Sequence, residues 1–195
     1  MLFVGASFDR DRGGDVRRRQ DSVRDRLPDQ GSGLILIDGA SGTGKTTLAA
    51  RLVDAWPRDR DVTVIHMDDL YDGWQGLRAG MRLLADTVVP RLSSGEVTRL
   101  PRFDWSRGVY GEGTLLSSAG DVIVEGCGCF VVPPDYQNSA RIWLDGEDDI
   151  RRERALSRGA EGFEHHWSEW EQQFDTYVRE DEPAATASLR VISNR

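Results

Sequence analysis

Lysine is nearly missing from this sequence. Its 195 residues carry 25 basic side chains, and all but Lys45 are arginine. A guanine-reading Asn-Lys-x-Asp element needs a lysine of its own, so a GTPase of the usual form is excluded. Cysteine is scarce: Cys127 and Cys129 stand too close along the chain to bridge comfortably, which fits a reducing compartment. Together with His165 and His166 they match no usual zinc-ligand spacing, and they read instead as small residues in a tight turn. Long apolar runs are absent. Nothing approaches the roughly 18 residues that span a bilayer, and residues 2–6 are too few for a signal-peptide core, so a cytoplasmic protein without a membrane partner is expected. An excess of positive charge is lacking as well. With Lys+Arg 25 against Asp+Glu 33 the net charge is −8, a field that repels polyanions and argues against a nucleic-acid partner. The dense run Arg17-Arg18-Arg19 is followed by acids and reads as a solvated helix face. No repeat or low-complexity segment appears, and the length suits one ordinary domain.

What is present is an alternation. Residues 33–38, 62–66, 121–125, 141–145 and 189–192 are short apolar runs of the kind buried in a parallel sheet. Between them, 46–56 and 77–92 have helical patterns, closed by Pro57 and Gly95. Residues 97–105 and 109–116 flank Ser106-Arg107-Gly108 as a hairpin. In 163–180 the aromatic residues Phe163, Trp167, Trp170, Phe174 and Tyr177 recur at steps of three and four, a stripe read as helix core. Strands alternating with helices predict a doubly wound α/β fold with helices on both faces. Residues 1–30 read as a charged lead-in, weakly helical over about 15–27, and 31–195 as the main domain.

Between the first strand and its helix stands Gly39-Ala40-Ser41-Gly42-Thr43-Gly44-Lys45-Thr46-Thr47, which matches G-x-x-x-x-G-K-[ST]. Glycines at 39, 42 and 44 allow a tight turn whose N–H groups face inward, and the following helix N-terminus favours an anion. Lys45 supplies a compact ammonium for β- and γ-phosphates, and Thr46 a hydroxyl for Mg²⁺. ATP with Mg²⁺ is the expected cofactor pair. Transport and motor ATPases bring a signature loop or a larger helical lid domain that is not found here, which leaves small-molecule kinases. Such an enzyme needs an acid near the acceptor hydroxyl. The paired Asp68 and Asp69 close the second strand, at the carboxyl end where open α/β sheets bind ligands. Glu125 closes the third strand and reads as a metal-associated acid. Arg151, Arg154 and Arg158 fall on one helix face in a segment whose Gly159 and Gly162 suit a mobile lid over about 147–162.

These motifs resemble those of the uridine kinase family of P-loop kinases, within the wider nucleoside-monophosphate-kinase-like group, over about residues 33–193. GASGTGKTT is similar to the family's phosphate loop, MDDLY to its Asp-Asp-Phe-Tyr element, LPRFDW to its Pro-x-Tyr-Asp-Phe element, DVIVEG to its strand ending in Glu-Gly, and 151–158 to its lid. The resemblance implies a P-loop NTPase fold with a five-stranded parallel sheet in the order 2-3-1-4-5. It implies Asp68 as base and metal-associated acid, Thr46 and Glu125 near Mg²⁺, and Arg154 or Arg158 on phosphates. Asp69, Tyr71, Phe103, Asp104 and Arg107 fall in a substrate region of about 68–116. Phe103 stands where the family often has Tyr, Trp105 where Phe is usual, and Ser106 or Arg107 in place of a base-reading His. An arginine there suits an anionic acceptor. The expectation is an ATP-dependent kinase that phosphorylates a hydroxyl of a small metabolite, a nucleoside first. The alternatives are a nucleoside-monophosphate kinase and a non-catalytic ATP-binding module, and homo-oligomerisation is left open.

Overall fold

A computed structural model describes residues 3–7, 33–94, 96–116, 120–136, 139–157 and 162–194. Six strands form one parallel sheet: β1 (Phe3–Ser7), β2 (Leu34–Gly39), β3 (Val62–His66), β6 (Asp121–Glu125), β7 (Ala140–Asp145) and β8 (Leu189–Asn194). From one edge they run β3, β6, β2, β7, β8, β1, each pair parallel. This differs from the expected five-strand order by a sixth strand: Phe3–Ser7 lies along β8, in a stretch read from the sequence as lead-in. Its physical basis is the open edge of β8, whose unpaired N–H and C=O groups accept another strand. The helix expected over 15–27 lies outside the described residues.

The central strand shows why the sheet has two covered faces. Leu34 and Leu36 of β2 enter one apolar cluster, and Ile35 and Ile37 enter the other. A continuous apolar run therefore serves both sides, because successive side chains point to opposite faces. Helix α1 (Lys45–Asp54) covers one face through Ala49 and Leu52. The other is covered by α2 (Leu77–Leu83), α3 (Val89–Ser93) and α5 (Phe163–Asp181), while α4 (Asp148–Ser157) follows β7.

The helix expected over 77–92 is interrupted by a π turn at Leu84–Val88, between α2 and α3. Pro90 explains it: the ring has no N–H for the carbonyl of Asp86 and clashes with it in a regular turn, so the helix widens ahead of the proline. β4 (Thr98–Asp104) and β5 (Val109–Leu116) form a separate antiparallel hairpin with an irregularity between Leu100 and Arg102. Pro101, lacking a ladder donor, sits in that irregularity. Two hydrogen bonds hang the hairpin on the turn after β3: Trp105 Nε1 donates to Asp68 O at 3.0 Å, and Tyr110 OH to Leu70 O at 2.9 Å.

Candidate active site

The loop between β2 and α1 is held in a form that only glycine allows at two points. At Gly39, φ is +142° and a Cβ would fall 2.1 Å from the carbonyl oxygen of Leu144. At Gly42, φ is +82° and a Cβ would fall 1.8 Å from the carbonyl oxygen of Arg151, so α4 rests directly on the loop. α1 then starts without a side-chain cap, which leaves its first N–H groups and its positive dipole end to the loop.

Lys45 is buried and bent back over this loop. Its ammonium donates to Gly39 O at 2.8 Å and to Ala40 O at 2.9 Å, and it reaches Cys127 Sγ at 3.6 Å. Burial works against its charge, but the nearby acidic groups of Cys127, Glu125, Asp38 and Asp68 outweigh it and hold its pKa above the ordinary value. Thr46 Oγ1 donates to Glu125 Oε1 at 3.0 Å, and His66 Nδ1 lies 2.7 Å from the same oxygen. Burial pushes Glu125 up. The His66 hydrogen bond, the charges of Lys45 and His66 and the Thr46 hydroxyl more than offset this, so the carboxyl is held below its ordinary 4.5. His66 is raised, first by that hydrogen bond.

The depressed Glu125 has a measurable consequence. Its contribution to stability is complete above the unfolded carboxyl's pKa, near 4.5, and is lost as pH falls through the lower folded value. Glu125→Gln is therefore expected to flatten the loss of stability in denaturation curves taken from pH 6 downward (on the order of one carboxylate's proton uptake). An acid limb identical to that of the unsubstituted protein would contradict this.

A cavity of about 300 Å³ opens in front of the loop, at the carboxyl ends of β2, β3 and β6. One end is lined by Ser41, Gly42, Gly44, Lys45 and Thr46, with Glu125, Gly126 and Cys127 beside them. Asp68, Asp69 and Tyr71 from the turn after β3 continue the wall. Aromatic rings close the far side. Trp74 stacks on Phe163 with centroids 5.2 Å apart and on His166 at 4.9 Å, and it lies 4.5 Å from Trp105. Phe103 meets Trp105 edge-on at 5.2 Å. The hairpin, the turn after β3 and the start of α5 are joined by these contacts.

The structure gathers many of the residues singled out in the sequence and separates others. Gly42, Gly44, Ser41, Lys45, Thr46, Glu125, Asp68, Asp69, Tyr71 and Phe103 line the cavity. Gly39 and Ala40 serve it through the carbonyls that hold Lys45. Thr43 is turned inward, its hydroxyl donating to Ala40 O at 2.8 Å, and Thr47 lies exposed on α1. Asp104 and Arg107 are not part of the lining. Asp104 Oδ1 accepts from the backbone N–H groups of Ser106 and Arg107, so its carboxylate stabilises the hairpin turn that carries Arg107 outward. Arg154 points to the sheet, donating to Ser193 Oγ at 2.9 Å. Arg151 is held by Asp148 and Glu171 and lies over the Trp167 ring. Arg158 lies outside the described residues. The aromatic stripe of α5 is largely core, as Trp167, Trp170, Phe174 and Tyr177 are buried, yet Phe163 and Trp170 also line the cavity.

Four contributors were not found from the sequence. Asp38 is wholly buried: Oδ1 accepts from Gly39 N and Gly128 N, and Oδ2 from Phe130 N and Tyr177 OH at 2.7 Å. Burial pushes its pKa up against those bonds. An acid in the apolar strand 33–38 was the available signal. His66 and Cys127 needed the strand pairing to bring them to Glu125 and Lys45. Arg102, which lines the cavity and pairs with Asp69 at 3.2 Å, depends on the hairpin irregularity.

Among the described residues no helix is long and apolar enough to cross a membrane, and no three His, Cys, Asp or Glu side chains converge as a metal cluster. No family model matches the chain. A uridine kinase of Lactobacillus johnsonii is 25% identical over 142 residues, 64% of this chain and 66% of that protein, so the match spans just under two thirds of the relative's length. Among solved structures, one from Bacillus stearothermophilus described as a "Possible Uridine Kinase" aligns with a TM-score of 0.63 at 21% identity, over 92% of this chain and 100% of that one. A Silicibacter sp. TM1040 protein, provisionally assigned as a fructose transport system kinase, aligns with a TM-score of 0.54 at 19% identity, over 89% and 97%. In sequence and in fold, the chain is thus similar to the uridine kinase-like P-loop kinases.

Proposed function

We propose that this chain is an ATP- and Mg²⁺-dependent kinase that moves a γ-phosphoryl group to a hydroxyl of a small metabolite, a nucleoside first. The observation that carries the proposal is one cavity lined by both a glycine loop bearing Lys45 and, further along its wall, Asp68. In this reading the loop N–H groups and the uncapped start of α1 hold the phosphates, and Lys45 exchanges its two carbonyl partners for phosphate oxygens. Asp68 accepts the proton of the attacking hydroxyl. The aromatic side shields the acceptor from water.

The residues present suit Mg²⁺. Thr46 and Glu125 offer hard oxygens, and the low pKa of Glu125 keeps it ionised, while Mg²⁺ commonly takes one or two carboxylates together with substrate phosphates. When bound there, it supplies neutralisation of charge on the β- and γ-phosphate oxygens. Two buried free thiols suit a reducing cytoplasm.

One observation favours a second reading, a nucleoside-monophosphate kinase. Arg102 lines the cavity with a side chain 70% exposed and forms an ion pair with Asp69. Such an exposed pair is worth about 0–1 kcal/mol, so a phosphate on the acceptor displaces Asp69 at little cost. Arg107 does not share that position.

Incubation with γ-labelled ATP, Mg²⁺ and a panel of nucleosides, nucleoside monophosphates, vitamins, sugars and sugar phosphates tests both. Label on a nucleoside hydroxyl supports the first reading, and label on a monophosphate supports the second. Label that stays on ATP with every acceptor sinks both in favour of a binding module.

A further inference from the structure

His66 ends β3, and the parallel register of β3 on β6 sets it directly beside Glu125. Its Nδ1 lies 2.7 Å from Glu125 Oε1, the oxygen that also accepts from Thr46. Both donors converge on one carboxylate oxygen, and among the described residues no hydrogen bond engages the other, Oε2. The Thr46 hydroxyl spends its proton on Glu125 and keeps its oxygen lone pairs. His66 does not line the cavity, and its side chain is 43% exposed against 6% for Glu125.

We propose that His66 is a positioning residue for the metal: it clamps Glu125 by Oε1 so that Oε2 and the Thr46 oxygen are presented to Mg²⁺ as a fixed pair. This rests on the kinase reading above, because it concerns the same site. A glutamate has three rotatable side-chain bonds, and fixing it beforehand removes an ordering cost from metal binding. Without His66, only the Thr46 hydroxyl would hold the carboxylate in place. His66 touches neither nucleotide nor acceptor in this account, so it acts through Glu125 alone.

The test is calorimetric and needs no acceptor. ATP affinity is measured with EDTA and with saturating Mg²⁺, and the ratio gives the gain contributed by the metal. His66→Phe keeps an aromatic ring at the strand end and removes the donor, whereas His66→Asn returns an N–H near the position of Nδ1. Metal-free ATP affinity is expected to agree within about twofold in all three proteins. The gain on adding Mg²⁺ is expected to shrink about 10-fold or more in His66→Phe and to be largely regained in His66→Asn. An undiminished gain in His66→Phe overturns the proposal. So does a parallel fall in metal-free affinity, which would mark a merely structural role. If the unsubstituted protein shows no gain on adding Mg²⁺, the metal-dependent kinase reading falls first and the role of His66 falls with it.

Discussion

Asp68→Asn is expected to slow phosphoryl transfer by about 10³-fold while ATP binding stays within about threefold. Asp68 stands in the short turn Met67–Asp69 that ends β3, and it lines the cavity next to Tyr71. Its backbone carbonyl accepts the hydrogen bond that anchors the hairpin through Trp105, and this contact survives the substitution. Asparagine has nearly the same shape but cannot take up a proton at neutral pH, so the change isolates basicity from packing. On the proposed mechanism the loss belongs in kcat, since there the loop and not Asp68 holds the phosphates. A kcat within threefold of the unsubstituted enzyme would remove Asp68 from the mechanism and leave Asp69 as the candidate base.

The second large effect is on stability. Asp38→Ala is expected to destabilise the fold by about 4 kcal/mol in chemical denaturation. Four buried donors, the N–H groups of Gly39, Gly128 and Phe130 and the Tyr177 hydroxyl, lose their acceptor at once. An unsatisfied buried donor costs about 1–3 kcal/mol, and relaxation keeps the total below the sum. Tyr177→Phe removes one donor together with its bond and should cost only about 1 kcal/mol. A loss under about 1 kcal/mol in Asp38→Ala would show that water reaches these groups. The functional meaning is geometric, because Asp38 ties the end of β2 to the turn after β6 and so fixes the loop against the wall that carries Cys127.

Local chemistry was legible in the sequence and long-range pairing was not. The apolar run 33–38, the glycine spacing and the hairpin around Ser106-Arg107-Gly108 are short-range signals, and each appears in the structure at its expected position. Asp68 and Glu125 were legible because both close a strand, and parallel strands bring their carboxyl ends to one side. His66 was hidden, since its partner lies 59 residues away and only the register of β3 on β6 joins them. Arg107 was named because it stands where the resembled family has a base-reading His, whereas Arg102 reaches the cavity from a strand with an irregularity between Leu100 and Arg102 that the sequence does not announce. The arginine face of 151–158 was read as free to reach phosphates, whereas Arg151 and Arg154 have acidic or hydroxyl partners on α5 and β8. Such competition for a long side chain is decided by tertiary packing. The sixth strand was obscured because the short apolar run 2–6 leads into charged residues and was read with them as lead-in.

Whether the glycine loop holds the nucleotide is decided by a crystal structure with Mg²⁺ and a non-hydrolysable ATP analogue. The γ-phosphate is expected within about 3 Å of Lys45 Nζ, with that ammonium withdrawn from the carbonyls of Gly39 and Ala40, and Asp68 facing the open side of the γ-phosphate. A nucleotide bound elsewhere, or a Lys45 still bonded to both carbonyls beside a bound nucleotide, would contradict it.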